Sequence, residues 1–129
     1  GRLAGNGWMW ESGSWYYLTG GRMTEGWLLD RGTWYYMDSR TGAMRTGWVQ
    51  VDDRWYYFEP SGAMATGWLN SGGSWYYMSA NGAMSTGWLN DRGAWYYMDS
   101  TGVMVTGTVS IDGRSSLFSS SGQWVGYAS

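Results

Sequence analysis

Apolar and polar positions along this chain form a block that recurs roughly every twenty residues. The copy at 67–86 opens with Trp68-Leu69, turns polar through Asn70-Ser71-Gly72-Gly73, and becomes apolar again at Trp75-Tyr76-Tyr77-Met78. Ala80-Asn81-Gly82 follows, and Ala83-Met84-Ser85-Thr86 leads into the next Gly-Trp. Short aromatic runs separated by Gly, Asn and Ser are strand and turn chemistry. They predict a β-hairpin around Asn70-Ser71-Gly72-Gly73, then a second turn whose Gly82 takes positive φ. Strand alternation puts Trp75 and Tyr77 on one face and Tyr76 and Met78 on the other. No stretch shows a 3.6-residue period, so helices are not expected.

The block repeats with little drift. Gly-Trp places its indole at Trp8, Trp27, Trp48, Trp68 and Trp88, and Trp-Tyr-Tyr starts at Trp15, Trp34, Trp55, Trp75 and Trp95. Both series step by 19, 21, 20 and 20 residues, so the paired Trp residues stay seven apart. One hairpin is marginal in water, but stacked copies bury faces against each other. The predicted fold is therefore all-β: a solenoid of about six stacked hairpins forming one repeat domain over 1–129. Repeats fall at about 7–25, 26–46, 47–66, 67–86 and 87–106. Residues 1–6 read as the tail of a preceding repeat, since Gly1-Arg2-Leu3 resembles Gly21-Arg22-Met23, which predicts that the chain is part of a longer protein. Residues 107–129 read as a degenerate capping repeat in which Thr108 and Ser115 stand where the Trp pair is due.

Composition narrows the chemistry. The chain holds 12 Trp, 11 Tyr, 9 Met and 22 Gly, but no Cys and no His. Nucleophilic or metal chemistry through those two residues is excluded, and no phosphate-binding Gly loop is present. Acidic residues Asp30, Asp52, Asp53, Asp91 and Asp112 recur with the turns, where Asp is favoured for backbone reasons, rather than standing as a pair in a cleft. A non-catalytic module without cofactor or metal is expected. Net charge is −2, which offers no basic face for nucleic acid. No apolar run approaches the ~18 residues that suggest a membrane span.

Gly-Trp, a Gly-containing turn, Trp-Tyr-Tyr-Met/Phe and Gly-Ala-Met-x-Thr-Gly-Trp together resemble the choline-binding or cell-wall-binding repeat of Gram-positive surface proteins and phage lysins. The resemblance covers nearly the whole chain. It implies a left-handed hairpin solenoid, a location at the cell surface or in secreted proteins bound to the wall, and pairing of chains through terminal repeats. It also implies that choline or phosphocholine of teichoic acid lies between consecutive hairpins, held by two Trp of one repeat and a Tyr of the next.

Carried over by position, the cages would be Trp8 and Trp15 with Tyr36, Trp27 and Trp34 with Tyr57, Trp48 and Trp55 with Tyr77, and Trp68 and Trp75 with Tyr97. A fifth would hold Trp88 and Trp95, but Leu117 replaces the Tyr, leaving Trp124 as the residue to cover it. Met44, Met64, Met84 and Met104 are candidates for an apolar fourth wall, against the simpler reading that they fill gaps. The first Tyr of each trio (Tyr16, Tyr35, Tyr56, Tyr76 and Tyr96) is expected in the core. A quaternary ammonium donates no hydrogen bond, and aromatic faces are the surfaces that attract it. The alternative ligand is a glucan or another wall polysaccharide stacked on the same rings. Ring geometry separates the two: perpendicular rings around a void suit a cation, coplanar rings along a groove suit a sugar chain.

Overall fold

The computed structural model describes residues 5–128. Its regular structure there is entirely β. The chain divides into two compact units, Gly1–Ala65 and Thr66–Ser129. In the first, β1 (Gly7–Glu11) pairs with β2 (Ser14–Thr19), which also pairs with a short β3 (Arg22–Met23). Two further hairpins follow, β4 (Gly26–Asp30) with β5 (Thr33–Met37) and β6 (Gly47–Val51) with β7 (Arg54–Phe58). The second unit repeats the scheme with β8 (Gly67–Ser71) and β9 (Ser74–Met78), then β10 (Gly87–Asp91) and β11 (Ala94–Met98). It ends in a three-stranded sheet of β12 (Gly107–Ile111), β13 (Arg114–Phe118) and β14 (Trp124–Tyr127).

Each hairpin is tighter than the polar run suggests. Asn70 and Ser71 belong to β8, where they oppose Trp75 and Ser74, leaving Gly72-Gly73 alone as the loop. Both loop residues have positive φ, 60° and 87°, and the same holds for Ser12-Gly13 and Arg92-Gly93. That is the two-residue turn whose twist matches the flanking strands. Its reach explains why a fixed spacing of seven separates the paired Trp residues.

The variable step lengths are absorbed in the second turn. Thr19 and Arg22 oppose each other across Gly20-Gly21, a two-residue connection, while the loop after Met37 carries one residue more than the loop after Phe58. Hairpin geometry is thereby insulated from the drift between 19 and 21. In the longer connections a glycine amide donates back to the residue that opens the turn, as Gly62 does to the Glu59 carbonyl at 2.6 Å and Gly102 to that of Asp99 at 2.8 Å.

In each unit the core is built from strand-terminal side chains. Met37, Phe58, Met78 and Met98 are fully buried, with Leu18 and Phe118 nearly so. They lie on the face shared with the first Tyr of each trio, which alternation requires. The proposed tail at 1–6 falls mostly outside the described residues, but Gly5 and Asn6 do bind the first turn. The Gly5 carbonyl accepts from Gly21 N–H at 2.7 Å, and Asn6 Oδ1 accepts from Gly20 N–H at 2.9 Å.

Candidate functional site

Every Trp pair meets at nearly a right angle. The first indole of a hairpin opposes a Tyr of the return strand, as in Trp8 with Tyr17 and Trp68 with Tyr77. Two residues before that Tyr in the return strand, the second indole shares its face. The resulting centroid distances run from 6.1 Å for Trp27–Trp34 to 6.5 Å for Trp68–Trp75, and the interplanar angles from 80° for Trp48–Trp55 to 89° for Trp27–Trp34. Trp8–Trp15 at 88° and Trp88–Trp95 at 85° complete the set. The second indole is never consumed as filler: Trp15, Trp34, Trp55, Trp75 and Trp95 are between 40% and 46% exposed.

The third wall comes from the next hairpin, and it is a different Tyr from the one expected. Trp8 meets Tyr35 at 4.9 Å, Trp27 meets Tyr56 at 4.8 Å and Trp68 meets Tyr96 at 4.8 Å, all edge to face. Tyr36, Tyr57, Tyr77 and Tyr97 instead stand across the sheet from the Trp of their own hairpin, at 5.2–5.3 Å. Alternation supplies the reason. Hairpins stack with the Trp face of one against the opposite face of the next, so the incoming ring is the first Tyr of the trio, neighbour of the buried core residue. The contact of Trp27 with Phe58 follows the same rule. Tyr35, Tyr56 and Tyr96, expected in the core, are instead half-buried rings that line these corners.

The corners at Trp8 and Trp68 open into notches. Trp8, Trp15, Tyr35, Met44 and Ser61 line one of about 350 Å³. Trp68, Trp75, Tyr96, Met104, Ser120 and Ser121 line another of about 390 Å³. Both sizes fit a small-molecule site. The Met wall is set by the backbone: Met44 N–H donates to the Trp15 carbonyl and Met104 N–H to that of Trp75, each at 2.8 Å. Met64 is tied in the same manner to Trp34, at 2.9 Å. A Cβ at Gly62, Gly102 or Gly122 would meet the flexible end of Met44, Met84 or Met104 and push it aside, while φ near +90° is what makes glycine necessary there.

The terminal repeat closes its corner by other means. Trp88, Trp95, Trp124 and Tyr127 line a notch of about 350 Å³, with Trp124 perpendicular to Trp88 at 6.4 Å. The position matching Tyr35 and Tyr96 is Ser116, not Leu117. Ser116 is small and buried, and β14 lays Tyr127 opposite it and Trp124 opposite Phe118. The added strand thus supplies the rings that the repeat has lost. Arg114 lies over the Tyr127 ring, 3.4 Å from its centroid.

Acidic side chains contribute more than turn chemistry. Trp8 Nε1 donates to Asp30 Oδ2 at 3.0 Å, and Trp68 Nε1 to Asp91 Oδ2 at 3.0 Å. Sequence reasoning placed both Asp residues in turns; they end β4 and β10 instead. The signal was available in their position, the last strand residue before the loop. Among the described residues no cluster of acidic side chains is arranged to hold a metal ion.

Known proteins share this arrangement. Residues 45–86 match the choline-binding repeat model, and residues 6–20, 25–44 and 86–104 match the cell wall binding repeat model. CbpJ from Streptococcus pneumoniae TIGR4 is 40% identical, with a TM-score of 0.89 over 92% of this chain and 45% of its own. The cell wall endolysin of the pneumococcal phage Cp-1, solved in complex with choline, is 33% identical with a TM-score of 0.65, over 96% of this chain and 38% of its own. The choline-binding domain of a further Streptococcus pneumoniae protein is 40% identical with a TM-score of 0.56, over 63% of this chain and 95% of that domain. This chain spans less than half the length of the first two. Among curated proteins, no sequence matches.

Proposed function

Because this chain belongs to the choline-binding repeat family of cell-wall-binding modules, we propose that its aromatic notches are receptors for the choline of teichoic acid. In this reading the chain is a non-catalytic anchor that holds a larger parent protein at the cell surface. The observation that carries the reading is the near-perpendicular Trp pair with its second indole open to solvent, repeated five times. A trimethylammonium head presents methyl groups in several directions at once, and converging ring faces meet it on several sides. A sugar ring needs one flat platform, and none of the five pairs is coplanar.

Trp8, Trp15 and Tyr35 with Met44, and Trp68, Trp75 and Tyr96 with Met104, are receptors in this scheme. Trp27, Trp34 and Tyr56 form the same corner, and Trp88 and Trp95 use Trp124 and Tyr127. Three faces at ~0.5–2 kcal/mol each give roughly millimolar binding. Trp fluorescence during a choline titration tests the proposal directly. Saturable quenching or enhancement in the low millimolar range is expected. A flat response up to about 50 mM, tens of times the expected dissociation constant, would overturn it.

A further inference from the structure

We infer that Asp30 and Asp91 divide the aromatic cages into two classes, making those at Trp8 and Trp68 the stronger sites for a cation. The inference rests on the choline reading and sharpens it. Each carboxylate accepts the indole N–H of the preceding hairpin at 3.0 Å, and in the first unit Tyr17 also reaches Asp30, at 3.5 Å. The same position in the repeat holds Val51 after Trp27 and Ile111 after Trp88. Neither aliphatic side chain can accept the bond or carry a charge.

Two effects act in the same direction. An indole whose N–H donates to a carboxylate is polarised, and its ring face becomes more negative. A full negative charge also stands at the N–H edge of the ring, within the screening length of a cation over its face. Both effects act on charge and leave shape alone. Holding the ring in place is a separate effect, and an amide oxygen serves it equally well.

Asp30→Asn and Asp91→Asn separate charge from position, since Asn keeps an acceptor for the indole N–H. Choline and its uncharged carbon isostere, 3,3-dimethylbutan-1-ol, would be titrated while the indole N–H signals are followed by NMR. The expected result is choline affinity lower by about three- to tenfold at the Trp8 and Trp68 cages. Affinity for the isostere stays as in the unaltered protein. In the unaltered protein, the Trp8 and Trp68 signals saturate at lower choline than those of Trp27 and Trp88, and Val51→Asp narrows that gap for Trp27. Equal saturation of all four cages, or Asn variants that bind choline as tightly as the original, would overturn the inference and leave the choline reading standing. Failure of both choline and tetramethylammonium to bind any cage would overturn the two together.

Discussion

Asp53 stands where the turn chemistry departs from glycine. The second loop residue is Gly13, Gly32, Gly73, Gly93 or Gly113 in the other hairpins, and Asp53 adopts the same left-handed backbone at φ 67°. An L-residue there carries a steric cost of about 1–2 kcal/mol, eased for Asp by its short polar side chain. Asp53→Gly should therefore stabilise the protein by about 0.5–1 kcal/mol, read as a higher urea midpoint. Asp99 makes a second prediction. Burial alone would raise its carboxyl, but the Thr101 hydroxyl and the N–H groups of Thr101, Val103 and Gly102 hold it below the usual value. Asp38 is held low by the N–H groups of Arg40 and Thr41. As pH falls, the unfolded chain takes up these protons first. The stabilisation is complete above the unfolded carboxyl value of about 3.9 and is lost as pH drops through the lower folded value. Asp99→Asn retains an acceptor for the turn, so the melting temperature of this variant should fall less steeply as pH drops below about 4.

The hairpins are legible at the level of the element, although Asn70 and Ser71 belong to the strand and not the loop, and the pattern does not single out the buried strand-terminal Met and Phe residues. Polar-apolar alternation shows which residues share a face, and Gly spacing shows where the chain reverses. Alternation within one strand does not say which face of the neighbouring hairpin it meets. For that reason the sequence leads to Tyr36 where stacking delivers Tyr35, and to Leu117 where the vacated position is Ser116. Asp30 was hidden differently: its strand-end position is read from sequence as turn chemistry, and only stacking brings the Trp8 indole to it. The connecting turn offers a test of how closely elements are fitted. At Gly62 an added Cβ must enter at φ +91° and displace the Met44 side chain, whereas at Gly73 it meets open space. Gly73→Ala should cost about 1–2 kcal/mol for backbone alone. Gly62→Ala should cost about the same, since the flexible end of Met44 can swing aside, but it should also weaken choline binding at the Trp8 cage by moving its Met wall. Choline binding at the Trp8 cage that is unchanged in Gly62→Ala would show that the Met44 side chain is not a wall of that cage.

A chain of repeats responds to damage locally, because each hairpin is stabilised chiefly by its neighbours. The Trp8 and Trp68 cages lie in separate compact units, so neither shares its walls with the other. Trp75→Ala removes one wall of the Trp68 cage from a position that is 44% exposed, so little core is lost. Free choline should then vanish from that cage while its affinity at Trp8 stays unchanged. A polymer carrying many choline groups should respond more strongly, since several weak sites acting on one chain gain about 10²–10⁴ in avidity and each lost site removes part of that factor. Titrating the variant with free choline and with a phosphocholine-bearing teichoic acid measures both. A small, site-confined loss for the monomer beside a disproportionate loss for the polymer is the signature of repetition used for binding. Equal losses for the two ligands would mean that the cages act singly, and unfolding of the entire chain by this one change would mean that the repeats are not near-independent.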